Sequence, residues 1–576
     1  MDRLGVAMDL GTSGFRAQAI ALDNDGRILS TSVSTRHPLP GANVMDHLHF
    51  ALEVGLDIAQ SLIIGAVNRV IAALHVDRSR IQRLAVCGNP IQLSLFEGIE
   101  IRDLAFAGKR KLSALKVVSP CRDARVLKAD RIRGLELAAE VYIPPSVRHE
   151  IGADALALMI HSGMLDKDEI AIATDYGTNA EMALIAGGIV YTGSTATGPA
   201  LEGQHIENGL LALPGAICDV EFEADDFQPA TAVAGDAPLR GRLRTFVLDG
   251  YLLPRPGDSV DPATGRVIDR GELKAAGITG TGVVALVSQG IQAGFIRVPR
   301  IRTLDGDIKL PDGLRFTQKD LAEAGKAIGA VRAGHISLCQ AAGVGIDEIE
   351  TAYMSGASGT YVDARKAQAV GLVPANVKRI YQVGNTSLAL ARDLVRNPGR
   401  IRDLQRIADR LRRHHCMFAS CTVFRKVFLL ELAHWTEGMP MALYRELMHR
   451  FGLPSKTPVS ADPLVIKTVN RDIQDTGAGG LVAIHDIGRV NRAVFDGCGG
   501  DGACVQACPE RALRIDAEGQ GYAIRLDLSR CNGVGCRRCE TACIRKCFSL
   551  GWLLRCMDDE KIPSIVTRTA AVTRDL

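Results

Sequence analysis

The sequence lacks the features that mark secreted, membrane-spanning or nucleic-acid-binding proteins. No run approaches the roughly 18 apolar residues of a membrane helix, and the opening MDRLGVAMDLG has neither an apolar signal core nor a cleavage site. The net charge is only +3, from 68 basic and 65 acidic residues, too balanced for sustained neutralisation of nucleic-acid phosphates. We therefore expect a cytoplasmic protein with no membrane and no nucleic-acid partner.

The length and hydrophobic content indicate a multidomain globular protein. A chain of 576 residues is too long for one hydrophobic core. Hydrophobic residues make up 47% and the mean hydropathy is +0.09, so the chain has enough apolar surface to bury real cores. We therefore expect about three or four compact units, since one core rarely serves more than about 250 residues.

Cysteine is concentrated at the end of the chain. Of the 15 cysteines, nine lie between residues 498 and 576. A disulfide framework would spread cysteines through a small secreted fold, so this clustering indicates metal binding instead. The first run is Cys498, Asp501, Cys504 and Cys508, followed by Pro509, and the second is Cys531, Cys536, Cys539 and Cys543.

Both runs follow the bacterial ferredoxin pattern C-x2-C-x2-C-x3-C-P. The first has aspartate in the second ligand position, and the second has two residues inserted between its first two cysteines. In two-cluster ferredoxins, the fourth cysteine of each run binds the other cluster. We therefore predict one cluster held by Cys498, Asp501, Cys504 and Cys543, and another held by Cys508, Cys531, Cys536 and Cys539.

The ligand assignment leaves alternatives open. Asp501 is a hard oxygen ligand, so its cluster could be a four-iron or a three-iron cluster. Cys547 could replace Cys543 as the crossing ligand, although the spacing favours Cys543. A zinc site is a further alternative, but zinc ribbons use two separated C-x2-C pairs rather than two four-ligand runs.

The first residues predict a phosphate-binding hairpin. Leu4–Leu10 is an apolar strand, and a second strand is expected over 15–22. The turn between them places backbone N–H groups, two hydroxyls and a carboxylate close together, which suits a phosphate with a magnesium ion nearby. The candidate residues are Asp9, Gly11, Thr12, Ser13 and Gly14.

Two further turns extend this pattern. Asp-x-Gly-Thr recurs between predicted strands at 169–174 and 182–186, with the candidate residues Asp175, Gly177, Thr178, Asn179 and Glu181. The repeat favours two facing lobes that each offer one carboxylate to a metal-bound phosphate. A third turn lies between a strand that ends at residue 354 and a helix that begins near residue 361. There, Gly356 and Gly359 would let a flat ring or a phosphate approach the backbone.

These turns resemble known motifs. DLGTS at 9–13, DYGTN at 175–179 and SGASG at 355–359 resemble, in order, the phosphate 1, phosphate 2 and adenosine motifs of the sugar kinase, Hsp70 and actin superfamily. The longer strings DLGTSGFRAQ, ATDYGTNAEM, TGPALEGQHIENG and VGNTSLALARDL resemble the reductive activators of corrinoid proteins. The placement of two clusters at the end of the chain resembles the arrangement in the activases that serve methylamine methyltransferase corrinoid proteins.

The resemblance implies an α/β fold with a two-lobed actin/Hsp70/sugar-kinase-like ATPase body and a C-terminal α+β ferredoxin-like domain. The expected limits are 1–135 for the first lobe, 136–400 for the second lobe with the adenosine turn, 401–487 for a mainly helical connector, 488–556 for the ferredoxin-like domain and 557–576 for a tail.

The implied activity is ATP-dependent, one-electron reduction of an inactive Co(II) corrinoid to Co(I) through two [4Fe-4S] clusters, with Mg²⁺ bound to ATP. Asp9 and Asp175 would orient magnesium and the attacking water, and Gly356 and Gly359 would flank adenosine. The other turn residues would hold phosphates; these are Thr12, Ser13, Thr178 and Asn179.

The expected partners are a corrinoid protein of a methyltransferase system and a low-potential electron donor. The sequence has no Asp-x-His-x-x-Gly string typical of corrinoid-binding domains, so the corrinoid would arrive on another protein. One alternative is an ATP-driven electron donor to a different acceptor, such as a dehydratase. Another is a ferredoxin-type carrier fused to a nucleotide-sensing fold without turnover.

Overall fold

The computed structural model divides the chain into two compact units. Unit 1 comprises Met1–Asp154, Ser387–Arg410 and Asp475–Leu576, and unit 2 comprises Ala155–Thr386 and Leu411–Gln474. The structure describes residues 3–23, 26–41, 43–106, 109–148, 150–198, 200, 205–210, 212, 214–225, 240–250, 252–454, 462–470, 473–508, 510–519, 521–556 and 566–569.

The strands carry the architecture of both units. In chain order they are β1 Leu4–Leu10, β2 Phe15–Ala21, β3 Ile28–Ser34, β4 Ile81–Gly88, β5 Arg125–Lys128, β6 Glu140–Ile143, β7 Ala171–Tyr176, β8 Asn179–Ala186, β9 Ile189–Ala196, β10 Ala216–Ala224, β11 Gly241–Leu248, β12 Pro254–Val260, β13 Val267–Asp269, β14 Gly277–Ile278, β15 Ile296–Arg297, β16 Arg300–Ile301, β17 Ile308–Lys309, β18 Arg315–Phe316, β19 Thr351–Ser355, β20 Arg379–Gly384, β21 Leu464–Lys467, β22 Leu481–Ile484, β23 Val490–Val494, β24 Leu513–Glu518, β25 Gly521–Asp527 and β26 Val566–Thr569.

The α-helices connect and cover these strands. In chain order they are α1 Val44–Val54, α2 Leu56–Ala72, α3 Pro90–Glu97, α4 Arg102–Ala105, α5 Lys109–Ala114, α6 Ala153–His161, α7 Gly280–Gln292, α8 Gln318–Ala342, α9 Gly356–Tyr361, α10 Ala364–Val370, α11 Thr386–Arg396, α12 Arg400–Leu411, α13 Thr422–Leu432, α14 Met441–Arg450, α15 Ala503–Gln506, α16 Arg538–Ala542 and α17 Leu550–Arg555.

Unit 1 is built on an eight-stranded mixed sheet in the order β26-β22-β3-β2-β1-β4-β6-β5. The central strand β1 is antiparallel to β2 and parallel to β4. All seven residues of β1 are buried, as expected for an apolar strand that is covered on both faces. The sheet therefore holds the first glycine turn, which joins β1 to β2.

Unit 2 is built on a six-stranded sheet in the order β21-β20-β19-β7-β8-β9, with a second, five-stranded sheet in the order β13-β12-β11-β10-β14. The long helix α8 starts at a capping box formed by Thr317 and Asp320, and it buries its apolar face in the core of this unit. The second glycine turn joins β7 to β8, and the third follows β19.

The cysteine-rich segment forms a small module within unit 1. It contains the three-stranded antiparallel sheet β23-β25-β24 with the short helices α15, α16 and α17. Before the module, β22 pairs in parallel with β3, and after it, β26 pairs antiparallel with β22. Two strands of the large sheet of unit 1 therefore flank the module in the sequence.

The predicted α/β fold class is confirmed, but the unit boundaries differ from the predicted domain limits. Residues 387–410 belong to unit 1, whereas 411–474 belong to unit 2. The segment 401–487, expected to be a mainly helical connector, contains β21 and β22, and the expected tail contains β26. Sheet pairing groups segments that are distant in sequence, which composition along the chain does not reveal.

The described part of the chain contains no helix that is both long enough and apolar enough to cross a bilayer.

Replacing Ile484 with alanine should destabilise unit 1, because Ile484 is 2% exposed at the end of β22. The expected loss is about 2–5 kcal/mol in the free energy of unfolding, as for other buried Ile-to-Ala changes. Urea denaturation measures it. The matched control is Leu464→Ala in β21, where the side chain is 61% exposed and the expected change is within about 0.5 kcal/mol. Equal midpoints for the two variants would contradict this role of β22.

Candidate functional site

The first glycine turn brings a carboxylate and a guanidinium together. Asp9 lies opposite Arg16 in the register of β1 and β2, and it is 5% exposed. Arg16 Nη1 lies 3.5 Å from Asp9 Oδ2. The buried carboxylate is therefore partly neutralised by a neighbour that the sequence analysis did not single out.

Close backbone packing shapes this turn. A Cβ on Gly11 would lie 2.8 Å from the carbonyl oxygen of Gly14, and a Cβ on Gly14 would overlap the carbonyl oxygen of Ser34. The N–H of Phe15 donates to Ser34 Oγ at 2.7 Å. The turn therefore needs glycine at both positions, because a side chain at either would displace the neighbouring backbone.

Asn89 fixes the first turn from a neighbouring strand end. Its Oδ1 accepts hydrogen bonds from the backbone N–H groups of Ile91 and Gln92, both at 3.0 Å, and so caps α3. Its Nδ2 donates to Thr12 Oγ1 at 3.3 Å. The sequence analysis missed Asn89, although the Asn-Pro pair at 89–90 is a helix-start signal.

The second turn is a two-residue hairpin. The N–H of Gly177 donates to the carbonyl oxygen of Asn179 at 3.1 Å, and Thr178 is buried. Thr197 Oγ1 lies 2.8 Å from the carbonyl oxygen of Gly177 and 2.9 Å from that of Thr178. Thr197, at the end of β9, was also missed, because only the pairing of β8 with β9 places it here.

The third turn meets the second. Strand β19 is parallel to β7, with Ser355 opposite Asp175. Gly356 has a φ of +85°, and a Cβ on it would overlap Asp175 Oδ1. Gln382 Nε2 donates to the carbonyl oxygen of Gly359 at 2.7 Å, which holds this segment against β20. Unit 2 therefore places Asp175 and both predicted adenosine glycines at one edge of its sheet.

Two local expectations need correction. The helix after β19 begins at Gly356 rather than near residue 361, because Gly356 can adopt the positive φ at its start. Asp175 lies within β7, where it pairs with Glu181, rather than after the strand end. The turn proper consists of Gly177 and Thr178.

The candidate iron ligands line two cavities of the cysteine-rich module, which we call cavity A and cavity B. Both are partly open, and the empty space among their lining atoms, open mouth included, is about 300 Å³ for cavity A and about 320 Å³ for cavity B. The predicted ligands segregate as the crossing pattern requires. Cavity A is lined by Cys498, Asp501, Cys504 and Cys543, together with Cys547, and cavity B by Cys508, Cys531, Cys536 and Cys539.

Backbone groups point at sulfur in cavity B. The N–H of Ala512 donates to Cys508 Sγ at 3.3 Å, and the N–H of Gly533 donates to Cys531 Sγ at 3.4 Å. Burial raises the pKa of Cys531 and that of Cys539 to about 12 each. Those thiols are therefore protonated at neutral pH unless a metal binds, and binding a metal releases their protons.

The residues that line each cavity fit an iron–sulfur cluster. Among the described residues, no three His, Cys, Asp or Glu side chains converge closely enough to hold one metal ion. Cysteines that surround a cavity can instead bind separate irons of one cluster. Soft thiolate donors also suit the iron of an iron–sulfur cluster.

Contacts within unit 1 connect cavity B to the first turn. The N–H of Gly41 donates to the carbonyl oxygen of Cys531 at 2.8 Å. His37 and His47, on either side of Gly41 in the sequence, stack at 3.8 Å. Gln92 belongs to α3, the helix that Asn89 caps. Its Oε1 lies 3.0 Å from His37 Nε2, and its Nε2 lies 2.8 Å from His47 Nδ1.

Comparison with known proteins decides the family. Residues 4–167 match the family model described as the RACo middle region, and residues 169–445 match the one described as the C-terminal domain of RACo, the ASKHA domain. A [Co(II) methylated amine-specific corrinoid protein] reductase from Methanosarcina barkeri is 44% identical over 92% of this chain and 95% of its own length. The chain belongs to the reductive activators of corrinoid proteins.

Two more distant proteins are also similar to this chain. A corrinoid activation enzyme, RamQ, from Eubacterium limosum is 24% identical over 64% of this chain and 60% of its own. The solved structure of a reductive activator for corrinoid, iron–sulfur protein covers 75% of this chain and 66% of its own, with a TM-score of 0.57 and 20% identity. The last likeness shows the shared fold.

The two roles of Asn89 can be separated by two substitutions. Asn89→Ala should cost about 1 kcal/mol in the free energy of unfolding, because α3 loses its cap. Asn89→Asp keeps the capping oxygen but cannot donate to Thr12, so it should retain most of that stability. Urea denaturation compares the two variants. Equal losses would show that Asn89 does not act mainly as the cap.

Proposed function

We propose that this activator couples ATP hydrolysis to one-electron reduction of the Co(II) form of a corrinoid protein in a methyltransferase system. The observation that carries the proposal is the combination in one chain of an ATPase-type fold and two cavities lined by cysteines. The name of the Methanosarcina barkeri relative favours a methylated-amine system as the one served. We also propose that the protein works in the cytoplasm.

For the nucleotide, we propose that the glycine turns bind Mg-ATP. Asp9 and Asp175 would orient magnesium and the attacking water, and Thr12, Ser13, Thr178 and Asn179 would hold phosphates. Gly356 and Gly359 would flank adenosine. The tight packing at Gly11, Gly14 and Gly356 supports these roles, because a side chain at any of them would displace the turn backbone or the Asp175 carboxylate.

For electron transfer, we propose two iron–sulfur clusters, one in each cavity. When bound, such clusters supply one-electron transfer at low potential. The cysteines of cavity B would hold one cluster entirely through sulfur. One thiol of each cavity would be shielded from bulk water, since Cys504 of cavity A and Cys539 of cavity B are buried.

ATP is needed in this proposal because the electron moves uphill. A one-electron step changes its equilibrium tenfold for every 59 mV, so a Co(II) centre far below its donor in potential is hardly reduced without coupling. Domain movements linked to ATP could supply that coupling by favouring a state of the corrinoid that is easier to reduce. A separate low-potential electron donor would then reduce the clusters again.

The decisive experiment is an anaerobic reconstitution. The purified chain, a chemical reductant and a Co(II) methylamine corrinoid protein are mixed with and without ATP, and the visible spectrum of cobalt and phosphate release are followed. We expect Co(I) to form only with ATP. An equal rate of ATP hydrolysis with and without the corrinoid protein would favour a different electron acceptor. The absence of phosphate release would favour a nucleotide-sensing carrier.

Asp175→Asn should lower ATP-dependent reduction by about 100-fold or more, because the amide is a poor ligand for magnesium and cannot accept a proton. The visible absorption of the clusters should stay unchanged, since their ligands lie in unit 1. The control is Asp168→Asn, an exposed residue of the same unit. Full activity in Asp175→Asn would remove this residue from the proposed site.

Gly356→Ala should weaken Mg-ATP binding, because its Cβ would overlap Asp175 Oδ1 and displace the carboxylate. The matched control is Gly343→Ala, which has a similar positive φ but no atom within 4 Å of the added Cβ. Both variants carry the backbone strain, so only Gly356→Ala should show a large rise in the Kd for ATP, about tenfold or more. Calorimetric titration measures the Kd, and equal values for the two variants would count against the predicted site.

A further inference from the structure

Cavity A is lined by one more candidate ligand than the ferredoxin pattern requires. Three cysteines of the predicted set line it, and the thiol of Cys547 lines it as well. The fourth predicted ligand is a carboxylate, that of Asp501. Five candidate ligands therefore surround a site that a four-iron cluster would occupy with four.

Aromatic packing brings Cys547 to this cavity. Phe548, the next residue, is 4% exposed, and its ring lies 5.2 Å from the ring of Phe495. The N–H of Cys498 donates to the carbonyl oxygen of Phe495 at 3.1 Å. The loop of Cys498 and the loop of Cys547 are therefore held side by side by one ring contact.

A tight turn also sets Cys547 beside Cys543. Lys546 has a φ of +52°, and its N–H donates to the carbonyl oxygen of Cys543 at 3.1 Å. The two sulfurs lie 3.7 Å apart at the cavity wall. Because χ1 has three staggered wells, either thiol can turn toward a separate corner of a cluster.

Asp501 has a different task in the same loop. Its side chain is exposed, and its Oδ1 accepts a hydrogen bond from the N–H of Ala503 at 2.9 Å. That bond forms an Asx turn at the start of α15, the short helix that contains Cys504. A carboxylate is also a harder ligand than the thiolates around it, and so a poorer match for iron in a sulfide cluster.

We propose that Cys547 is the fourth ligand of the cluster in cavity A, with Cys498, Cys504 and Cys543, and that Asp501 stays off the iron and holds the loop. Each thiol exchanges its proton for a bond to iron, and the protons pass to solvent without any change in electron count. The cluster in cavity A is then a four-iron cluster held by four sulfurs. This assignment rests on the proposed function only in requiring cubane-type clusters.

The test compares Cys547→Ala with Asp501→Asn in full-length protein that is purified anaerobically and reconstituted with iron and sulfide. Asn at 501 keeps the hydrogen bond to Ala503 but removes the anionic ligand. Cys556→Ala is the matched control, because Cys556 lines neither cavity. Iron and sulfide per chain, and the EPR signal of oxidised three-iron clusters, are measured for each variant.

We expect the unmodified chain, Asp501→Asn and Cys556→Ala to hold about eight irons per chain without a three-iron signal. Cys547→Ala should fall to about seven irons and show that signal. The double variant Asp501→Cys with Cys547→Ala restores the complete cysteine run and should return to about eight irons. A three-iron signal in Asp501→Asn, or about eight irons in Cys547→Ala, would overturn the proposal.

The Asp501→Asn variant and the choice of measurements keep the result interpretable. If Cys547→Ala disrupts the whole module, the Asp501→Asn arm still decides, because loss of an iron there would assign the ligand to the carboxylate. The readouts are iron content and EPR, so they do not depend on corrinoid reduction. Loss of ATP-dependent reduction in a chain with about eight irons would count against the proposed function and leave the ligand assignment standing.

Discussion

Close approach of one backbone segment to another shapes the candidate nucleotide turns, and glycine alone permits it. In unit 1, Gly14 packs against the backbone of Ser34, and in unit 2, Gly356 packs against the carboxylate of Asp175. The same constraint thus appears once in each unit, beside one buried strand and one carboxylate. A side chain there would displace the backbone of Ser34 in unit 1 or the carboxylate of Asp175 in unit 2, so the shape of both turns depends on this packing.

The cysteine-rich module and the first turn share one compact unit, and hydrogen bonds run between them by way of the loop that contains Gly41. The side chains of Gln92 and His37 link the helix that Asn89 caps to the loop that contains Gly41. Burial lowers the pKa of His37 to about 3, so this histidine is neutral at any ordinary pH. The hydrogen bond between His37 and Gln92 is therefore a bond between neutral groups in the physiological pH range.

Local patterns predicted local structure well. The strand Leu4–Leu10 was predicted with its observed limits, because a short apolar run before a glycine turn has few alternatives. The candidate ligands that the crossing pattern groups together also line the same cavity, and their binding of iron stays a prediction. Asn89 and Thr197 were missed because parallel and antiparallel pairing, not sequence spacing, brings them to the turns. That Cys547 lines cavity A together with Cys543 was not predicted, since its position depends on the contact between Phe495 and Phe548.

The pairing of β22 with β26 shows where the cysteine-rich module is inserted in the fold of unit 1. Ile484 and Val566 are partners in antiparallel register, so the chain leaves the large sheet and returns to it on adjacent strands about 5 Å apart. In topological terms, the cysteine-rich module is a domain inserted into the loop between two adjacent antiparallel strands, β22 and β26. Insertions at such points disturb a host fold little, because the host strands are neighbours with or without the guest.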